Sequence, residues 1–83
     1  MANRYEYRVC TLQLNRVTFV NGEWQGTVDP AAEDPNAALG SCPTAWDYLN
    51  QAGQDGWELV GAFDQPAQEG THMQTLFLKR ELT

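Results

Sequence analysis

Residues 49–60, with the sequence LNQAGQDGWELV, combine the end of a helix, a glycine stop and the start of a strand. The helix begins before this segment, because apolar residues recur at three- and four-residue spacing over residues 43–54. Ser41 is a suitable N-cap, Pro43 suits the first turn, and Gly56 can adopt the left-handed conformation that ends helices. The apolar stripe of this predicted helix consists of Ala45, Trp46, Leu49 and Ala52.

A strand is predicted directly after the helix, over residues 57–63. Its alternation places Trp57, Leu59 and Phe63 on one face of the strand. Glu58 then points to water. We therefore expect the GWELV motif to have a structural role, in which its glycine ends the helix and its tryptophan and leucine fill the core.

The N-terminal part of the chain predicts a long strand followed by a hairpin. Residues 5–14 alternate between apolar and polar side chains, with a change of phase that indicates a bulge near Cys10. The Asn-Gly pair at residues 21–22 supplies the two positive-φ positions of a type I′ turn between arms at residues 16–20 and 23–28. The first strand places Tyr5, Tyr7 and Val9 on one face and Cys10, Leu12 and Leu14 on the other.

Residues 29–42 lack the periodicity of a helix or a strand. They are rich in Pro, Ala, Asp, Glu and Gly, which predicts an exposed loop with one helical turn at residues 37–39. A second loop leads to a final strand over residues 72–82. Together the elements predict one α+β domain over residues 1–83, with an inserted hairpin and an acidic Pro/Ala loop at residues 15–42. Its small antiparallel β-sheet of about four to five strands is packed by one main α-helix, in the order β-(β-hairpin)-α-β-β.

Three blocks of the chain resemble the bacterial family called domain of unknown function 4177. They are the opening strand YEYRV at residues 5–9, the segment LNQAGQDGWELV at residues 49–60 and the closing LFLKR at residues 76–80. The segment over residues 15–41 is longer than the usual connection in that family. The resemblance implies a small sheet packed by one helix, and it carries no assigned activity, substrate or catalytic residue.

The charge distribution disfavours two classes of partner. The formal net charge is −6, and nine of the eleven acidic residues lie between Arg16 and Lys79, where no lysine or arginine occurs. Such a surface repels phosphate backbones and anionic membranes, so neither nucleic acid nor membrane is expected as a partner. A basic protein partner would be attracted. Without a long apolar run or an export signal, the sequence predicts a cytoplasmic protein.

The sequence predicts no catalytic residue, no cofactor and no metal site. Cys10 and Cys42 are expected to be buried, reduced thiols, and His72 an ordinary strand residue rather than the base of a cysteine nucleophile. The acidic residues of the loop lack the alternating acids and fixed glycine of a calcium site. These residues are Asp29, Glu33 and Asp34.

The leading hypothesis for function is a non-enzymatic interaction module that self-associates, most simply as a homodimer. If one helix covers only one face of the sheet, the other face exposes aromatic side chains, and such patches mark interfaces. The alternative is that the loop over residues 29–42 folds back over the hairpin. The candidate interface residues are Phe19, Trp24, Tyr5 and Tyr7.

Two other functions remain open. One is a small-ligand carrier or sensor, whose helix and curved sheet enclose an apolar pocket. The other is an acidic inhibitor that imitates nucleic acid, which size and charge permit. The candidate pocket residues are Trp24, Trp46, Tyr48 and Trp57.

Overall fold

Five β-strands of the described chain form one antiparallel sheet, and two α-helices lie between the third and fourth strands. The computed structural model describes residues 3–31, 34–66 and 72–82. The strands are β1 (Tyr5–Gln13), β2 (Arg16–Val20), β3 (Glu23–Trp24), β4 (Glu58–Pro66) and β5 (His72–Glu81), and the helices are α1 (Pro35–Gly40) and α2 (Ala45–Gln54). Across the sheet the order is β3-β2-β1-β5-β4. The predicted α+β class with an antiparallel sheet is confirmed.

The central strand β1 carries apolar side chains on both of its faces. It pairs with β5 without interruption from Tyr5 to Gln13, whereas its ladder with β2 shifts register between Thr11 and Leu12, where Thr18 of β2 is the extra residue. The bulge predicted near Cys10 therefore exists in the ladder with β2, and the extra residue belongs to β2 rather than to β1. Even-numbered residues such as Cys10 and Leu12 are buried, whereas odd-numbered Tyr7 is exposed. The side chains of β1 therefore alternate strictly between its two faces. The change of phase in the sequence marks the point at which the apolar residues pass from the odd-numbered face to the even-numbered face.

Two tight turns connect the first three strands. Leu14 and Asn15 both have positive φ, at 49° and 64°, and they end β1 one residue earlier than predicted. The predicted Asn-Gly turn is confirmed, because Asn21 and Gly22 have φ of 51° and 83°. Its second arm is shorter than the predicted residues 23–28: β3 has two residues, after which the chain leaves the sheet.

The connection from β3 to β4 contains one more helix than predicted. Instead of a single helical turn at residues 37–39, the structure has a helix of six residues, α1. The Asp34 carboxylate caps this helix by accepting hydrogen bonds from the backbone N–H groups of Asn36 and Ala37. The N-cap of α2 is Thr44 rather than Ser41. Ser41 instead donates its hydroxyl to Ala38 at the end of α1.

The core lies between α2 and the side of the sheet formed by the even-numbered residues of β1 and β5. From α2, Ala52 is buried, and Ala45, Tyr48 and Leu49 pack against the core as half-buried residues. The buried residues of this cluster are Cys10, Leu12, Val17, Ala52, Trp57, Leu76 and Leu78. No described helix is long and apolar enough to cross a membrane.

A bulge in β4 changes which side chains face the core. Leu59 is paired with Leu78, and Gly61 with Phe77, so Val60 is an extra residue in the ladder. After the bulge, Phe63 points to the face opposite Leu59. The prediction that Trp57, Leu59 and Phe63 share one face is therefore wrong: Trp57 is buried, and the other two are exposed.

Candidate interaction surface

The face of the sheet opposite α2 exposes a contiguous set of aromatic and aliphatic side chains. In chain order, 37% of Tyr5, 63% of Tyr7, 40% of Val9 and 49% of Phe63 is exposed. Phe77 lies among them and is half-buried. We call these five residues, Tyr5, Tyr7, Val9, Phe63 and Phe77, the open aromatic face.

Strand register places the open aromatic face on three adjacent strands. Val9 of β1 is opposite Phe77 of β5, which is opposite Gly61 of β4. The Phe63 and Phe77 rings stack with their centroids 5.7 Å apart and an angle of 25° between planes. Such cross-strand aromatic pairs contribute to sheet stability as well as to apolar surface.

Charged residues border the open aromatic face at its Tyr5 end. Lys79 is opposite Tyr7 on one strand and Glu58 on the other, and its Nζ lies 4.6 Å from the centroid of the Tyr5 ring. Glu81 is opposite Tyr5 at the same end. The residues that pair across the strands with Val9 and Phe63 are uncharged, so the middle of the open aromatic face carries no charge.

A cluster of cations and an indole anchors the opposite side of the sheet to α2. The guanidinium carbons of Arg8 and Arg80 lie 4.1 Å and 4.5 Å from the Trp57 ring centroid. Arg8 also donates to the Tyr48 hydroxyl at 2.7 Å, and Arg80 forms a 2.7 Å ion pair with Glu6. These contacts fix the helix against the side of the sheet opposite the open aromatic face.

The four candidate interface residues lie in two places. Tyr5 and Tyr7 belong to the open aromatic face, as just described. Phe19 is opposite Thr11 and packs edge-to-face against Trp24, with the ring centroids 5.4 Å apart. Both of these rings are half-buried, because the connection containing α1 folds back over the hairpin.

A groove of about 340 Å³ lies between α1 and this hairpin. The Trp24 indole donates to the carbonyl of Val28 at 2.9 Å, so its polar end is already satisfied. The groove is lined by Gln13, Phe19, Trp24, Pro30, Pro35, Asn36, Ala38 and Leu39.

The four candidate pocket residues do not line one cavity. Trp24 belongs to the groove beside α1, whereas Tyr48 and Trp57 both contact Arg8 on the other side of the sheet. Trp46 lies on α2 with 60% of its surface exposed. The geometry therefore supplies no enclosed aromatic site from these residues.

Both thiols are buried, as predicted. Burial raises the pKa of Cys10, and the hydrogen bond with Tyr48 and the charge of Arg8 oppose this only in part. Burial likewise raises the pKa of Cys42, against a smaller opposing effect of Arg16. Because these pKa values are raised in the folded state, the associated stability is complete at neutral pH and is lost as the pH rises through them. The side chain of His72 lies outside the described part of the chain.

The acidic loop residues have structural partners. Asp29 accepts a hydrogen bond from the Ala31 N–H at 2.8 Å, Asp34 caps α1, and Glu33 lies outside the described residues. Among residues 3–31, 34–66 and 72–82, no group of three or more His, Cys, Asp or Glu side chains is placed to hold a metal ion.

Sequence reasoning did not include Val9, Phe63 and Phe77 in the candidate interface. Val9 follows Tyr5 and Tyr7 in the alternation and could have been added from that pattern alone. Placing Phe63 on this face requires knowledge of the β4 bulge, and the only local sign of that bulge is Gly61 after two aliphatic residues.

Comparisons with protein-family models, curated proteins and solved structures give no match. The resemblance to the domain of unknown function 4177 family stays a prediction based on three sequence blocks.

Proposed function

We propose that this protein is a cytoplasmic, cofactor-free interaction module that self-associates through the open aromatic face and performs no catalysis. The observation that supports this proposal is the exposure of Tyr5, Tyr7, Val9 and Phe63 on adjacent strands. Small monomeric proteins seldom leave a contiguous apolar face of this kind in water, because covering it gains free energy in proportion to its area.

The charge distribution favours association of like chains through this face. Asp47 and Asp55 lie on or directly after α2, on the other side of the sheet, and Asp29 and Asp34 lie in the connection that contains α1. Two copies that meet across the uncharged middle of the open aromatic face therefore keep Asp47 and Asp55 apart, whereas Asp29 and Asp34 lie in the connection over Phe19 and Trp24, at the hairpin border of the same side. At ordinary ionic strength, dissolved salt screens the remaining repulsion between charges that lie more than about 10 Å apart.

A charge introduced at Phe63 tests this function. We expect Phe63→Glu to convert a dimer into a monomer, because an unpaired carboxylate would have to lose its water at the contact. Light scattering coupled to size-exclusion chromatography measures the mass, and circular dichroism verifies that the variant is folded.

Trp46→Glu is the matched control, since Trp46 is at least as exposed as Phe63 and lies on α2. It should leave the mass unchanged. A wild-type chain that is monomeric at all concentrations, or a dimer that Trp46→Glu dissociates and Phe63→Glu does not, contradicts the proposal.

A further inference from the structure

The side of the sheet that packs against α2 carries a cluster of arginines, Arg4, Arg8 and Arg80. These are three of the five lysine and arginine residues in a chain whose net charge is −6. Arg8 and Arg80 both lie against the Trp57 ring. Arg4 directly precedes β1, and its carbonyl accepts a hydrogen bond from the Leu82 N–H at 2.8 Å, which extends the ladder of β1 and β5. Because side chains alternate along a strand, Arg4 shares the face of Arg8.

Arg80 already has acceptors for its charge within the chain. Its Nη2 forms the 2.7 Å ion pair with Glu6, which is opposite Arg80 in the ladder. Its Nη1 donates to the Asp55 carbonyl at 3.1 Å, directly after α2. Even when both of these acids are counted against the three arginines, the cluster keeps a net positive charge.

Arg8 differs from Arg80 because it has no acidic partner in the described chain. Its Nη1 donates to the neutral hydroxyl of Tyr48 at 2.7 Å, and its guanidinium lies against Trp57. Within residues 3–31, 34–66 and 72–82, no group accepts a hydrogen bond from Nε or Nη2 of Arg8, and neither atom is buried. A half-buried cation of this kind gains free energy when an anion pairs with its free edge.

We propose that Arg8 is the centre of a binding site for a small oxyanion, that is, a carboxylate or phosphate group. The Nε–H and one Nη2–H of a guanidinium point in parallel, which matches two oxygens of such a group. The Tyr48 hydroxyl and the Trp57 ring hold this fork in one orientation, so little side-chain freedom is lost on binding. Arg4, whose side chain has no partner among the described residues, adds a second positive charge beside it.

This oxyanion site lies on the side of the sheet opposite the open aromatic face. It goes beyond self-association and does not depend on it, so the two proposals can be tested separately. The acids Asp29 and Asp34 lie in the connection over the hairpin, on the other side of the sheet. At ordinary ionic strength, dissolved salt screens charges more than about 10 Å from the site, so the local positive charge dominates.

Titration with inorganic phosphate, followed by two-dimensional proton–nitrogen nuclear magnetic resonance, tests the site. The Nε–H of Arg8 and the indole N–H of Trp57 are the reporters, and the indole N–H of Trp46 is the control. We expect both reporters to shift and reach saturation with phosphate, while sodium chloride at the same ionic strength leaves them in place.

A parallel titration with sodium acetate distinguishes the two sources of the oxyanion. Saturation by both salts assigns the site to carboxylates and phosphates alike, and saturation by one alone assigns it to that group. Reporter signals that move no more with phosphate or acetate than with sodium chloride overturn the proposal.

The variant Arg8→Lys keeps the positive charge and removes the planar fork. We expect the oxyanion to bind about tenfold more weakly, because a charge-assisted pair of hydrogen bonds is lost. Arg16→Lys is the matched control, since Arg16 also donates a single hydrogen bond, from Nη1 to the Cys42 carbonyl at 2.7 Å, away from the site. It should leave the dissociation constant unchanged. Equal weakening by the two variants contradicts the site.

The variant Glu6→Gln is a test in the opposite direction, which a misfolded chain cannot imitate. It removes the carboxylate nearest to Arg8 along β1 and releases Arg80, so the oxyanion should bind about three- to tenfold more tightly. Glu58→Gln makes the same change in net charge beside Lys79, on the other side of the sheet. It should have no effect. If the two glutamine variants act alike, net charge rather than this site controls binding, and the proposal fails.

Discussion

Replacing Trp57 with alanine is expected to lower the free energy of unfolding by about 3–5 kcal/mol, the usual loss for a buried large aromatic residue. Only 8% of Trp57 is exposed, and its indole contacts the guanidinium groups of Arg8 and Arg80. At about 0.05–0.15 kcal/mol per residue, a chain of 83 residues has roughly 4–12 kcal/mol in total. The loss is therefore a large part of the whole stability.

The measurement is urea unfolding followed by far-ultraviolet circular dichroism. Trp46→Ala removes the same side chain from an exposed position on α2, and we expect a change within about 0.5 kcal/mol. Trp57→Phe keeps an aromatic ring between the arginines and should lose less unfolding free energy than Trp57→Ala. It allows the loss to be measured even if Trp57→Ala does not fold. Similar losses for the two tryptophan-to-alanine variants would show that Trp57 does not anchor α2.

Replacing Leu78 with alanine is expected to cost about 2–5 kcal/mol, as for other buried leucines. Leu78 is 1% exposed in β5, opposite Arg8 of β1 and Leu59 of β4. Because sheet packing surrounds it on both sides, the cavity cannot collapse easily. The same unfolding measurement gives the loss.

Leu82→Ala is the control for this change, because it deletes the same atoms at a position that is 46% exposed directly after β5. A cost below about 1 kcal/mol is expected there. If Leu82→Ala costs as much as Leu78→Ala, the core is not where the structure places it.

The parts of the fold that follow from local signals could be predicted from the sequence. Gly56 has φ of 93° after α2, and the Asn-Gly turn has positive φ at both residues, because few other residues adopt these conformations without strain. Trp57 is buried because the chain must return to the sheet directly after that glycine. Each of these outcomes depends on residues close in sequence.

The parts that depend on pairing and long-range packing could not be predicted. The bulge at Val60 exists only in the ladder between β4 and β5, and it alone turns Phe63 to the open side of the sheet. The cover over Phe19 and Trp24 depends on α1, which is six residues long and has no periodic apolar pattern. The candidate surface was therefore predicted at Tyr5 and Tyr7 and missed along β4 and β5.

A dilution series followed by nuclear magnetic resonance tests the central claim, self-association through the open aromatic face, most directly. Over an about hundredfold range of protein concentration that brackets micromolar affinity, we expect the backbone amide signals of Phe63 and Phe77 to shift, while the signal of Trp46 on α2 stays constant. Signals that do not move at any concentration, or shifts confined to α2, would contradict the account.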